Sequence, residues 1–324
     1  MLNVGIWEER MVGTSSDDVF CCLLFDRQNK TLRVIDFKTK KFAAKREYLE
    51  RVLMTEGMRK IFTIVERSEV GGWKKIGYHQ EGSLPAYFNR SDAYVMSCCY
   101  DGDEAQNGEN SAEQEATLLK IKTLAEKMEK QKRSSAQTDQ IDEAEAIQAI
   151  HRELKRRKER AQKEADLESI STLPIGSPIF SQFSRETEQL YFATENRRTK
   201  QVNILGAEYQ EHYSNAKIDV LFQPDTKTDM NLARCGLEAT VETLREMNVS
   251  SVFSLAPENV PMLNVLYLNS GFKNTGRLIG HRIQGSGFQN LLLWAKRLDR
   301  PDKTRGIQPK TNSAFVEFYP ATGK

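Results

Sequence analysis

The chain has 324 residues, with 47 Lys and Arg against 45 Asp and Glu for a net charge of +2, which is long enough to bury two modest cores and lacks the charge excess that nucleic acid or an anionic membrane would select. No apolar run approaches the roughly 20 residues that span a bilayer, and the first residues lack a basic-then-apolar export signal. The expectation is a cytoplasmic protein with no nucleic-acid or membrane partner.

In chain order, the first elements are strand-like runs around Cys21-Cys22 and a helical stretch with Leu49, Val52 and Leu53 on one face. Residues 60–65 read as a strand, a short helical stretch through Trp73 and Lys75 ends at Gly77-Tyr78, and residues 84–100 supply closing strands. Neighbouring side chains on a strand face opposite ways, so neither Cys21-Cys22 nor Cys98-Cys99 is expected to bridge within the pair. With Cys235 they read as reduced core residues, and none has Cys-x-x-Cys metal spacing.

From about Gly102 to Ser171 aromatics and glycine nearly vanish. Residues 112–132 and 142–167 are dense in Glu, Lys, Arg, Ala and Gln, the composition of two helices broken at 134–138. The basic run at 151–160 is interspersed with Glu and has no aromatics, so it reads as a solvated helix face. Leu118, Ile121 and Leu124 form a thin apolar stripe suited to a helical hairpin or to a homodimer contact. The second helix could also open the unit that follows.

Residues 188–194, 201–209 and 216–222 are predicted as three antiparallel strands. A helix then carries Ala233, Leu237, Val241 and Leu244 on one face, with Asp225 or Thr228 as its N-cap. Val252, Phe253 and Leu255 mark a buried strand. Met262, Leu263, Leu266 and Leu268 follow at helical spacing, Gly271 closes that helix, and Phe272 returns the chain to the core. Two strands joined at 284–287 finish the unit. Strand, helix, Gly-aromatic and strand pair thus occur twice.

A helix that carries Asn264 and Tyr267 inward and stops at Gly271-Phe272, behind an apolar strand, resembles the second motif of the GNAT acetyltransferases. Taken with the segments 84–96, 172–178 and 276–298, the chain is similar to the bacterial and archaeal β-lysine acetyltransferases over most of residues 1–100 and 172–298. The resemblance implies an α+β fold of two GNAT-like domains with mixed, mostly antiparallel sheets flanked by helices. Its divisions are a degenerate GNAT-like domain at 1–101, a charged helical linker at 102–171, the GNAT domain at 172–300 and a tail at 301–324. It also implies acetyl-CoA as co-substrate and acetylation of the side-chain amine of a small molecule such as β-lysine. The coenzyme would meet Leu221, Phe222, Gln223, Lys227, Thr228, Asp229, Met230 and Asn264, where helix N–H groups face the pyrophosphate. Thr228 and Met230 replace the family's glycines, Asp229 adds a negative charge, and Lys217 stands where the family often has Glu. These departures define the alternative, a catalytically inactive GNAT-fold binding or regulatory protein. A transferase for a protein amine or another acyl donor, with the linker as docking element, is a third reading.

Acetyl transfer needs a neutral nitrogen, whereas a lysine-type amine with a pKa of ~10.4 is protonated at neutral pH, so a base is required. Glu208 and Asp219 are the available carboxylates, Glu208 otherwise being a solvent-facing strand residue. Tyr267 is the implied proton donor to the leaving thiolate, and otherwise a packed core aromatic. Backbone N–H groups near Leu221 to Gln223 would hold the tetrahedral intermediate. His281 reads as a partly exposed strand residue or as lining the acceptor cleft, and no pair of histidines has metal spacing.

Overall fold

A computed structural model describes residues 7–14, 19–38, 42–100, 110–130, 187–195, 202–220, 224, 227–285, 287–298 and 315–316. The first half runs β1 (Trp7–Thr14), β2 (Val19–Asp26), β3 (Thr31–Lys38), α1 (Phe42–Glu56), β4 (Lys60–Glu66), α2 (Arg67–Lys75), β5 (His79–Phe88) and β6 (Ser91–Cys99). After α3 (Asn110–Lys130) the second half runs β7 (Glu188–Glu195), β8 (Val202–Gln210), β9 (Asn215–Val220), α4 (Lys227–Glu246), β10 (Ser251–Pro257), α5 (Pro261–Asn269), β11 (Lys273–Gln284) and β12 (Gly287–Arg297), and β13 (Phe315–Val316) adds an edge. The strands form one mixed, mostly antiparallel sheet carrying helices, in the order β1-β2-β3-β4-β6-β5-β11-β12-β10-β9-β8-β7-β13.

That order reads the same from both ends once β13 is set aside. In each half three antiparallel strands lead to a helical crossover and a parallel pair, β3 with β4 and β9 with β10. A helix and an antiparallel pair follow. The repeat extends to irregularities. β5 shifts register between Gln80 and Gly82 and again between Leu84 and Phe88, and β11 does so between Asn274 and Gly276 and between Leu278 and Arg282. Ala86 and Gly280 occupy the same place in the second bulge with φ of 55° and 52°. Each donates its N–H to a neighbouring strand's side chain, Asp92 at 2.9 Å and Asn290 at 2.8 Å.

Alternation along the central strands sends side chains into three cores. Ile61 and Val65 of β4 face α1 and α2, Val252 and Ala256 of β10 face α4 and α5, and α3 adds Ile121 and Ala125 to the second of these cores. The opposite faces meet in a third core shared by the halves, with Phe62, Leu84, Tyr87 and Val95 from the first and Phe253, Leu278, Leu291 and Leu293 from the second.

The halves join at a single register pair, Gly82 with Gly276. A Cβ on Gly276 would collide with the Glu81 carbonyl oxygen and the Gly82 Cα, and one on Gly82 would lie 2.8 Å from Leu293 Cδ2. Both strands therefore need glycine to approach this closely. Around the seam, Lys60 reaches both oxygens of Glu81, at 2.9 and 2.6 Å, and the Ile279 carbonyl at 2.7 Å, and Ile279 N–H donates to Glu81. Arg59 donates to the Gly280 carbonyl, and Ser250, its counterpart, donates to the Ala86 carbonyl at 3.2 Å.

The strands, helices and glycine-aromatic corners predicted within the described residues are present, with ends moved by a few positions. The helix expected at 142–167 and the basic run at 151–160 lie outside the described residues. Among the described residues no helix is long and apolar enough to cross a membrane.

Candidate active site

The parallel pair β9–β10 holds register only at Asn215–Ser251, Ala216–Val252 and Lys217–Phe253. Both strands then run on, to Val220 and Pro257, without pairing to each other, while each stays paired on its other side, to β8 and β12. Tyr267 sits in this opening. It is carried inward by α5, whose residues Leu263 to Tyr267 are all buried. Its hydroxyl oxygen accepts a hydrogen bond from Ser254 of β10 at 2.6 Å and another from the backbone of Val220 of β9. One oxygen thus bridges the two strands where they have come apart. Burial pushes the Tyr267 pKa up and the charge of Asp219 adds to the rise, against the two hydrogen bonds, so the phenol holds its proton at neutral pH. Phe272 and Trp294 flank the ring at 5.4 and 6.5 Å.

Glu208 and Asp219 lie beside this opening but share Lys217. Glu208 faces Lys217 across the β8–β9 ladder. The ammonium lies 2.7 Å from Asp219 and 3.9 Å from Glu208, all three being largely buried. Burial works against the charged lysine, but Asp219 and Glu208 outweigh it and hold its pKa above the ordinary value. Glu208 is therefore a buried ion-pair member, which corrects the solvent-facing alternative. Neither carboxylate is poised as a base while this cluster stands.

Asn264 spends its amide internally. It donates to the carbonyls of Pro257 and Val260, both at 2.8 Å, and accepts from the Trp294 indole at 2.8 Å. It clasps the β10–α5 turn onto β12. α4 begins at Lys227, so Lys227, Thr228 and Asp229 form its first turn, where N–H groups have no partner within the helix. Thr228 therefore lies inside the helix and is not its N-cap. Met230 packs its side chain into the core of the second half. Leu221, Phe222, Gln223 and Asp225 lie outside the described residues.

The first half repeats the frame without the hydroxyl. Trp73 holds the place of Tyr267 and packs edge-on against Tyr78 at 4.8 Å, as Tyr267 does against Phe272. Thr63, in the place of Ser254, donates instead to the Val34 carbonyl at 2.9 Å. His281 is buried and packs edge-on against Phe62 at 4.8 Å, which corrects the partly exposed reading.

Sequence reasoning missed three further residues. Ser254 was legible only as a hydroxyl inside an apolar strand run. Glu258, just past β10, holds Arg277 through Oε2 at 2.8 Å, and Gln289 joins it at a cleft of about 790 Å³ between α3, the β10–α5 turn and the β11–β12 hairpin. Among the described residues, no group of three or more His, Cys, Asp or Glu side chains is placed to hold a metal.

No protein-family profile matches the chain, and no curated protein matches it. Among solved structures, the spermidine N-acetyltransferase of Vibrio cholerae in complex with CoA and spermine aligns at 15% identity with a TM-score of 0.31, over 34% of this chain and 65% of that one. The spermidine/spermine N-acetyltransferase of the same organism in complex with manganese ions aligns at 15% identity and 0.31, over 35% and 67%. The chain thus spans just under two thirds of the first enzyme's length, and a likeness this faint carries no chemistry across.

Proposed function

We propose that the chain is an N-acetyltransferase that uses acetyl-CoA to acylate the side-chain amine of a small molecule, with Tyr267 as the proton donor. The observation that supports this is the Tyr267 hydroxyl held between β9 and β10 where their ladder stops. In this reading residues 172–300 form the catalytic GNAT domain. Residues 1–101 form a degenerate copy, in which Trp73 replaces the donor tyrosine. β-Lysine is the acceptor that the sequence resemblance offers.

Acetyl-CoA supplies the thioester carbon that the amine attacks, so that a C–N bond forms and the C–S bond breaks. Tyr267 gives its proton to the departing sulfur. It is suited to this because burial keeps it protonated and because its oxygen already accepts from Ser254 and Val220, which leaves the O–H to donate. The first turn of α4, with Lys227, Thr228 and Asp229, offers N–H groups to the pyrophosphate. Glu208 or Asp219 would serve as base only after giving up Lys217.

The same Lys217 cluster favours the second reading, a GNAT-fold binding protein without catalysis, and one experiment separates the two. Calorimetry with acetyl-CoA and desulfo-CoA should give binding in the micromolar range, followed by amine-dependent release of free CoA. Tyr267→Phe should then lower kcat by about 10²- to 10⁴-fold, the usual contribution of a positioned acid, with acetyl-CoA affinity unchanged. No binding at millimolar coenzyme would sink the enzyme reading.

A further inference from the structure

Arg282 of β11 is a half-buried cation that, among the described residues, has neither a hydrogen bond nor an ion pair. It lies where β11 regains its ladder after the shift that begins at Leu278, opposite Gln289, and such a bulge turns the side chains beyond it to a new direction. The first half pins the backbone on either side. Arg59 donates to the Gly280 carbonyl, and Ile283 N–H donates to the Asn29 side chain at 2.9 Å. The charged groups nearby are already occupied. Of the cations that act on the adjacent His281, Lys60 is held by Glu81, Lys217 by Asp219 and Arg59 by the Gly280 carbonyl. Asp26 accepts from the N–H and the side-chain amide of Asn29, at 3.0 and 2.7 Å. Asp219 and Asp26, one from each half, thus reach Arg282 only through space.

The internal repeat shows that this openness is local. Phe88 holds the equivalent place, the first paired residue beyond the second shift of β5, and it packs edge-on against Tyr213 of the other half at 5.2 Å. Arg282 has no such partner across the seam. Burial pulls its pKa below the ordinary value against the charges of Asp219 and Asp26, so the guanidinium is charged yet partly stripped of water. Its N–H groups form a fixed fork that a planar carboxylate can meet with both oxygens. A phosphate suits the place less well, because its second charge would face Asp26 and Asp219. Asp219 also ties the place to the opening between β9 and β10, since its charge acts on Tyr267 as well as on Arg282.

We infer that Arg282 anchors the acceptor through a carboxylate, held by two hydrogen bonds between the halves, and so selects amines that carry a carboxylate over amines that do not. The inference rests on the acetyltransferase reading for the reaction but not for the anchoring. No bond changes at the carboxylate, so Arg282 is a binding residue that sets specificity.

Lysine and cadaverine differ only by the carboxylate, so calorimetry of the full chain without coenzyme reads the anchor by itself. Lysine should bind roughly 10- to 100-fold more tightly than cadaverine, the worth of hydrogen bonds to a charged group. Arg282→Met should erase that difference, and Arg282→Lys, which keeps the charge but loses the fork, should recover only part of it. Because the substitution to methionine removes a buried charge that no group pairs, it should also raise the melting temperature of the ligand-free protein. Equal binding of the two amines overturns the inference, as do binding of neither, a preference that survives Arg282→Met, or a melting temperature lowered by that variant, which would make the guanidinium a structural partner. Carboxylate-dependent binding with no release of CoA would keep the anchor and remove the acetyltransferase reading. Release of CoA as fast with cadaverine as with lysine would do the reverse.

Discussion

At the scale of single residues, the second half turns on which polar atoms are already spent. Lys217 is charged and buried between two carboxylates, and removing it alone leaves Glu208 and Asp219 without their shared cation. Lys217→Met should therefore destabilise the protein by about 3–5 kcal/mol, whereas replacing all three residues with apolar ones of similar volume should recover most of the loss, because a buried charge costs most when it is unpaired. Urea unfolding of the single and triple variants checks this, and a mild single variant would mean that solvent reaches the cluster. Asn264 makes a parallel case. Asn264→Leu strands the Trp294 indole N–H, while the Pro257 and Val260 carbonyls keep their backbone donors, at about 1–3 kcal/mol for the buried group left unsatisfied. Tyr267 stood out in the sequence through the resemblance of its helix to the acetyltransferase motif, the pattern alone fitting a packed core aromatic equally well. The occupation of Asn264, Glu208 and Asp219 was not legible, since the sequence shows that a residue is polar but not which partner consumes it.

At the scale of elements, close backbone approach decides where the sheet continues. Gly276 faces backbone atoms of Glu81 and Gly82, which cannot rotate away, whereas a Cβ on Gly82 first meets the end of the Leu293 side chain. Gly276→Ala should thus lower the melting temperature clearly more than Gly82→Ala, and the opposite ranking would show that β5 can slide past β11. The strand, helix and Gly-aromatic order at Gly77-Tyr78 and Gly271-Phe272 made the repeat visible from sequence, since a left-handed closing residue and a returning aromatic are local signals. The first three strands were far less visible. Residues 7–14, Trp-Glu-Glu-Arg-Met-Val-Gly-Thr, show no clean alternation, and their strand state follows from pairing with β2 along all eight residues, a long-range interaction that no local pattern records. The seam was invisible for the same reason. One glycine in each strand reads as a weak point until the other is brought opposite it.

At the scale of the whole molecule, the shared third core and the staples around the seam make each half part of the other's interior. Phe62 and Phe253 belong to one core, so neither half can unfold without exposing the other, and loss of structure should follow one cooperative transition. His281 gives that coupling a pH dependence. It sits against Phe62 of the first half. Burial comes first in pulling its pKa well below the ordinary 6.5, with the charges of Lys60, Lys217 and Arg59 adding to it. The unfolded chain therefore takes up a proton near pH 6.5 that the folded chain refuses. Since stability rises with pH wherever the unfolded state binds more protons, the contribution of His281 is complete above that value and is lost as pH falls below it, by up to about 1.4 kcal/mol per pH unit. Urea unfolding at pH 7.5, 6.5, 5.8 and 5.2 should show this decline in the native protein and a flatter profile in His281→Leu, which keeps the apolar contact but cannot titrate. If the two profiles run parallel through that window, the acid sensitivity lies elsewhere and His281 is protonated as readily in the fold as outside it.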